Sequence, residues 1–238
     1  MPKLLWEASE EQKRRANMTK FMQAVNERHG VRLSTYPQLH QWSIDHIPEF
    51  WALLWDFAGT IASAKYNSVV DDPYNLPGAK WFQGARLNFA QNLLRRRDEH
   101  TALVFRGENR VSARMTYREL YGTVAGLAKS LREAGVRPGD RVVGYMPNMI
   151  ETAAAMLAAT SVGATWSSCA TDIGPGAAAD RLGQVEPKVL FTSDSYFYKG
   201  RPFDVIPKAA ELGECPTGGF RWQVSESRSG WPTVSRPA

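Results

Sequence analysis

The 238-residue sequence is 43% hydrophobic and 22% charged and carries eight tryptophans, a composition that fits a core-forming globular chain and excludes a disordered or fibrous one. Its net charge of +5 is scattered apart from Arg95-Arg96-Arg97, and no zinc-finger or RNA-recognition spacing accompanies it, so no nucleic-acid partner is expected. The N-terminus turns charged within a few residues, and the most apolar stretch, Met149 to Trp166, is alanine-rich and holds Glu151, so no membrane span is expected and the location is expected to be cytoplasmic.

In chain order, Ser9 and Gln12 have capping-box spacing, in which each side chain satisfies an orphan amide at a helix start. Met18, Phe21, Met22 and Val25 follow at helical spacing and predict one amphipathic helix ending near Gly30. From Tyr36 to Ile61 six aromatic residues accumulate: Tyr36, Trp42, Phe50, Trp51, Trp55 and Phe57. Pro48 precedes a second expected helix, with Phe50, Trp51, Leu54, Trp55 and Ala58 on its apolar side. Helical spacing and low local positive charge favour a core over a stacking platform for single-stranded nucleic acid. Asp71 to Gly84 is rich in Asp, Pro, Gly and Asn and reads as a loop.

Beyond it, Thr101 to Arg106 and Val111 to Met115 are strand candidates that can pair across Gly107-Glu108-Asn109. Thr116 and Glu119 form a second capping box before a helix ending at Gly135, with Pro138 just after. Arg141 to Met146 is a short apolar strand, and Asn148 is the expected cap of a helix turning Ile150, Ala153, Ala154, Leu157 and Ala158 inward. Ala164 to Ser168 and Lys188 to Thr192 are further strands, with a helix opening at Pro175 between them. Strand starts so far apart leave room for crossover helices, which predicts an α/β fold: a parallel sheet with helices on both faces. Gly213 to Ala238, with isolated Trp222 and Trp231, has neither helical nor strand period and is expected to be irregular. The expected organisation is a helical segment over residues 1–95, an incomplete α/β domain over 96–212 and a tail over 213–238.

No Gly-x-Gly-x-x-Gly, Walker loop or Gly-x-Ser-x-Gly elbow occurs, and Thr160 to Ser168 is hydroxyl-rich without a lysine. The cysteines Cys169 and Cys215 stand far apart and are expected as free thiols. The four histidines, His29, His40, His46 and His100, form no ligand pair, so no metal site is expected. Two features remain. Asp172-Ile-Gly-Pro-Gly176 lies at a strand-to-helix junction, which is either a tight turn or a ligand site where helix amides point beyond the sheet. Tyr198-Lys-Gly-Arg201 offers two charged donors, Lys199 and Arg201, suited to phosphate, although local chemistry favours an exposed basic pair.

Taken together, these words resemble a family. Tyr36 to Ile61 and Trp81 to Leu94, with its Gly-Ala-Arg-Leu-Asn core, are similar to the N-terminal segments of short-chain acyl-CoA synthetases of the adenylate-forming superfamily. Thr116-Tyr-Arg-Glu-Leu120, Val136-Arg-Pro-Gly-Asp-Arg-Val142 and Tyr145-Met-Pro-Asn148 continue the resemblance. Gly163-Ala-Thr-Trp-Ser-Ser-Cys-Ala-Thr-Asp172 points more narrowly to acetoacetyl-CoA synthetases.

The resemblance implies an ATP-dependent ligase for acetoacetate and CoA. A carboxylate attacks the α-phosphate to give an acyl-adenylate and pyrophosphate, the CoA thiol then displaces AMP, and Mg2+ bridges the phosphates. It places Tyr198, Lys199, Gly200 and Arg201 where the family meets the CoA nucleotide, and Ala170, Thr171 and Asp172 where its loop approaches CoA. Tyr198 stands where acetyl-CoA enzymes carry arginine. It also implies that the phosphate-gripping loop with its lysine, the ribose carboxylate, the hinge and the catalytic lysine are absent, so no catalytic residue is expected here. The family match fades after Ile206. This polypeptide alone is expected to be inactive, and a parallel sheet cut short would expose strand edges, with marginal solubility as the expected cost.

Overall fold

At the N-terminus of the computed structural model, which describes residues 5–108 and 112–214, the Ser9 capping box forms as expected. Gln12 N–H donates to Ser9 Oγ at 3.3 Å, and Ser9 N–H donates to Gln12 Oε1 at 2.8 Å. The single helix expected here is two, however: α1 (Glu10–Arg15) and α2 (Asn17–His29), separated by an extended Ala16. The break frees the Lys13 carbonyl, which accepts from the Thr19 hydroxyl at 2.6 Å and the Ala16 N–H at 3.2 Å. Gly30, at φ +66°, ends α2.

The chain divides into two compact units between Leu87 and Asn88. In the first, α3 (Tyr36–Asp45) and α4 (Ile47–Phe57) follow α2. A capping box that the sequence reading passed over starts α3: Thr35 Oγ1 accepts from Gln38 N–H, and the Gln38 side chain accepts from Thr35 N–H. Phe21, Val25, Leu39, Trp42 and Leu53 form the buried core. Leu53 thus replaces Trp51 on the inward face of α4, and Trp51 is partly exposed. The aromatic rings pack largely on one another, Phe21 edge-on to Phe50 and Phe57, and Trp55 against Tyr66 and Phe82. The Asp71–Gly84 segment is not all loop. Its β2 (Trp81–Gln83) pairs antiparallel with β1 (Ser68–Val70), placing the Phe82 ring against Trp55 despite the turn-rich residues before it.

The second unit opens with α5 (Phe89–Leu93), capped by Asn88, whose side-chain amide also donates to the Thr160 and Ser161 carbonyls at 3.1 Å. Strands β3 (Thr101–Arg106) and β4 (Ser112–Thr116) form the expected antiparallel pair; Asn109 and Val111 lie outside the described residues. The Thr116–Glu119 capping box starts α6 (Tyr117–Glu133), which buries Leu120, Val124, Ala128 and Leu131 at helical spacing.

The expected parallel sheet follows. Strand β5 (Arg141–Tyr145) lies between β6 (Thr165–Cys169) and β7 (Val189–Thr192), parallel to both, in the order β6-β5-β7. The crossovers are α7 (Ile150–Ser161) and α8 (Pro175–Gly183). The N-cap of α7 is Met149, not Asn148, and no side chain caps it; Ala155 and Ala159 join its buried face, while Ala153 is only half-buried. One core, including Val142, Ala154, Ala158 and Phe191, packs α6 and α7; the other, including Val143, Tyr145, Leu182 and Val205, packs α8.

Charged side chains fasten the N-terminal end of this sheet. Arg141 donates to the Val185 and Glu186 carbonyls at 2.6 and 2.7 Å, and Lys188 Nζ reaches the Gly135 carbonyl at 2.6 Å and Asp140 at 3.0 Å. The Arg137 N–H and then Lys188 hold the Asp140 carboxyl below the usual range. After β7 comes a hairpin that the sequence reading did not anticipate, β8 (Ser195–Tyr198) and β9 (Arg201–Asp204), and then α9 (Ile206–Glu214). Helix α9 reaches into the segment expected to be irregular from Gly213. Cys215, Trp222 and Trp231 lie outside the described residues.

Gly144 tests the packing of the central strand. A Cβ there would stand 2.7 Å from the Trp166 ring on β6. Gly144→Ala is expected to destabilise the second unit by about 1–3 kcal/mol in urea unfolding, with part recovered when Trp166→Phe is added. An unchanged midpoint would contradict this packing.

Candidate functional site

In a parallel sheet the loops at the carboxyl ends of the strands are open to ligands, because the crossover helices return the chain along the faces. Here those ends are Tyr145, Cys169 and Thr192. Tyr145 is fully buried, and its phenol donates to the Ile173 carbonyl at 2.6 Å, with the Thr171 carbonyl 3.2 Å away. One hydroxyl from β5 therefore sets the path of the loop leaving β6. Burial, with lesser contributions from neighbouring ionisable groups, pushes the Tyr145 phenol up, so it stays a neutral donor. Thr192 Oγ1 donates to the Tyr145 carbonyl at 3.1 Å and ties in the third strand.

Within that loop the three expected residues are presented differently. Ala170 and Asp172 are exposed, whereas Thr171 is buried and contributes its carbonyl, which also accepts from Lys208 Nζ at 3.2 Å. Lys208 lies on α9, and its ammonium stands 5.8 Å from the centre of the Tyr196 ring on β8. The loop, α9 and the hairpin are thus joined through one lysine. Cys169 is a buried free thiol. Helix α8 starts at Pro175 beside the loop, without a side-chain cap.

Tyr198-Lys-Gly-Arg201 folds as the tip of the β8–β9 hairpin. Tyr198 pairs with Arg201, and the two residues between them have positive φ, +51° at Lys199 and +73° at Gly200. Positive φ at both central positions is the geometry of a type I′ turn, which matches the twist of the flanking strands and needs glycine at its second position. Tyr196 stacks on Phe203 at 5.2 Å and braces the hairpin. Lys199 Nζ stands 5.2 Å from the Tyr198 ring centre. Among the described residues neither Lys199 nor Arg201 is paired with a carboxylate side chain, so both charges face solvent.

Both outward amides of this turn are taken by Glu108, beside the β3–β4 turn. Its two carboxylate oxygens accept from Lys199 N–H and Gly200 N–H, each at 2.8 Å. Those bonds, the Gly200 contribution first, hold the Glu108 carboxyl below the usual glutamate range. The two expected groups, 170–172 and 198–201, are therefore held by different partners, Tyr145 and Lys208 for one and Glu108 for the other. Sequence reasoning missed all three. Tyr145 carried the best signal, as a hydroxyl-bearing ring ending an otherwise aliphatic strand.

A separate cavity of about 440 Å³ is bounded by Leu94, Arg97, Tyr121, Ala128, Arg132 and Ser161, among others, and holds none of the expected residues. Arg97 lies 3.9 Å from the Tyr121 ring centre, so the arginine run is partly stacked on α6 as well as solvated. Among the described residues no group of three or more His, Cys, Asp or Glu fits a metal ion, and no helix is long and apolar enough to cross a membrane.

Comparison with known proteins adds the family. The model for AMP-binding enzymes matches residues 89–227, and that for the N-terminus of acetyl-coenzyme A synthetase matches residues 36–93. The acetoacetyl-coenzyme A synthetase of Rhizobium meliloti is 42% identical over 88% of this chain and 32% of its own length. The malonamoyl-CoA synthetase vrtB of Penicillium aethiopicum is 39% identical over 82% of this chain and 28% of its own length. The solved acetoacetyl-CoA synthetase from Streptomyces lividans superimposes with a TM-score of 0.84 at 40% identity, covering 97% of this chain and 37% of that one. The chain thus spans about a third of the proteins it matches. These likenesses agree with the resemblance drawn from the sequence words and with its α/β fold at the N-terminal part of an adenylate-forming enzyme.

The Tyr145 hydroxyl offers a direct check on the loop. Tyr145→Phe leaves the Ile173 carbonyl without its phenolic donor and is expected to cost about 1–3 kcal/mol of stability. Hydrogen exchange should accelerate over residues 170–174 more than in β5 itself. Uniform acceleration across the unit would show that the phenol does not anchor this loop.

Proposed function

This chain belongs to the AMP-binding enzyme family, and on that premise we propose that it carries the CoA-facing part of an AMP-forming acid–thiol ligase acting on acetoacetate. The observation that carries the reading is the segment Gly163 to Asp172, the word most specific to acetoacetyl-CoA synthetases. It forms β6 and the loop fixed by Tyr145 at the carboxyl end of the sheet. The likeness to the Rhizobium and Streptomyces synthetases supports the acyl group.

In this reading ATP activates the carboxylate as an acyl-adenylate and CoA takes the acyl group as a thioester. The residues of this chain bind and orient. Lys199 and Arg201 supply charge to phosphate oxygens of CoA, Tyr198 and Gly200 shape the turn that presents them, and Ala170, Thr171 and Asp172 border the approach. The partners are the small molecules acetoacetate, ATP and CoA, with Mg2+ neutralising phosphate charge in the whole enzyme. The described residues do not form a cluster that fits that ion, and no step here is routed through it. The groups that adenylate the acid are assigned to the part of the relatives that this chain does not span, so the 238-residue polypeptide binds CoA without forming acetoacetyl-CoA. The cytoplasm is the proposed location. We also propose a helical N-terminal segment over 1–95 and an α/β domain over 96–212, followed by a tail. A second reading changes only the acyl group. The malonamoyl-CoA synthetase relative is 39% identical against 42% for the Rhizobium protein, which favours a segment serving more than one short acyl chain.

Two measurements on the purified chain test this. Acetoacetate-dependent ATP–pyrophosphate exchange is expected at background, and CoA binding is expected to weaken about tenfold in Lys199→Ala and again in Arg201→Ala. Exchange above background would overturn the division of labour. Unchanged CoA affinity in both variants would overturn the assigned site.

A further inference from the structure

The contact between Glu108 and the hairpin tip is unusual in its chemistry. A carboxylate separated by 91 positions from its partner places one oxygen on Lys199 N–H, and the other oxygen lies on Gly200 N–H, both at 2.8 Å. Two successive amides converging on one anion are what a phosphate needs from a protein backbone, because each N–H donates without a side chain having to be ordered. The turn that offers them is already fixed: Lys199 and Gly200 hold positive φ inside a hairpin braced by the Tyr196–Phe203 stack. Flanking it are the Lys199 ammonium and the Arg201 guanidinium, neither neutralised by an acidic side chain among the described residues. The site therefore has two amides held by one tethered negative group, with two solvent-facing cations on the same hairpin tip, and its composition suits an anion bearing more charge than one carboxylate.

We propose that Glu108 is a built-in competitor at this turn: its carboxylate occupies the Lys199–Gly200 amides in the free chain, and a phosphate group of the ligand displaces it. This rests on the reading of Tyr198 to Arg201 as part of the CoA site, and it adds the regulation of that site. Electrostatics gives the direction. A phosphate brings more negative charge than Glu108 and gains from Lys199 and Arg201 together, while released Glu108 returns to water, where an exposed carboxylate is well solvated. A neutral or singly charged ligand gains too little to open the contact, so Glu108 also selects for phosphate. Affinity is reduced by the fraction of molecules in which the carboxylate holds the turn.

Glu108→Gln keeps the size and one acceptor but removes the charge. At fixed ionic strength the variant is expected to bind CoA about fivefold more tightly than wild type by calorimetry, with no gain for pantetheine, which lacks phosphate. In wild-type chain the Glu108 side-chain carboxyl carbon resonance is expected to shift as CoA saturates the protein. Weaker or unchanged CoA binding in Glu108→Gln would overturn the proposal, as would an equal gain for pantetheine or an unmoved Glu108 resonance in CoA-saturated chain. The two readings fail separately. If Lys199→Ala and Arg201→Ala lose CoA while Glu108→Gln does not gain it, the site stands and the competitor falls. If no form of the chain binds CoA, both fall.

Discussion

Strand β5 is hydrogen-bonded on both edges, and Val142, Val143 and Tyr145 are wholly withdrawn from water. Its two faces feed different cores: Val142 meets the α6–α7 side, while Val143 and Tyr145 meet the α8 side. A strand so placed tolerates neither a register slip nor a change of volume, because either would push a side chain into the wrong layer. The loop after β6 takes its course from the same strand, since the phenol of Tyr145 crosses to the Ile173 carbonyl. The fixed sheet and the positioned loop are thus one constraint. It separates the ends of the sheet, with Arg141, Lys188 and Asp140 fastening the N-terminal end and the opposite end bearing the loop.

Much of the second unit was legible because its signals are local. Thr116 and Glu119 name a helix start within four residues, and the apolar runs of β5 and β7 announce strands covered on both faces. The first unit was harder. The helix break at Ala16 has no glycine or proline to mark it, and the inward stripe of α4 runs through Phe50, Leu53, Leu54 and Phe57, which leaves Trp51 beside it against Trp81. A strand at Trp81–Gln83 was hidden behind the Asp, Pro and Gly residues that precede it, since its pairing partner lies on the other side of that turn.

The candidate site was legible as residue types and not as geometry. Lys199 and Arg201 could be named from charge and the Gly200 between them, yet the two-residue hairpin depends on Tyr196 meeting Phe203 across the turn. Glu108 gave no signal, because its role exists only once the β3–β4 turn and the β8–β9 turn come within hydrogen-bond distance. Lys208 was equally silent, as a polar residue on a helix whose partners are a loop carbonyl and a ring. Long-range polar contacts of this kind carry no period, so sequence pattern cannot find them.

Ligand binding is proposed at the carboxyl end of the parallel sheet and at the hairpin tip, away from the cavity beside Arg97 and Tyr121. Mapping backbone amide resonances of the chain during a CoA titration tests that placement most directly. Shifts concentrated at Glu108, at residues 170–173 and at residues 198–201 are the predicted result. Shifts concentrated around Arg97, Tyr121 and Arg132 instead would contradict it.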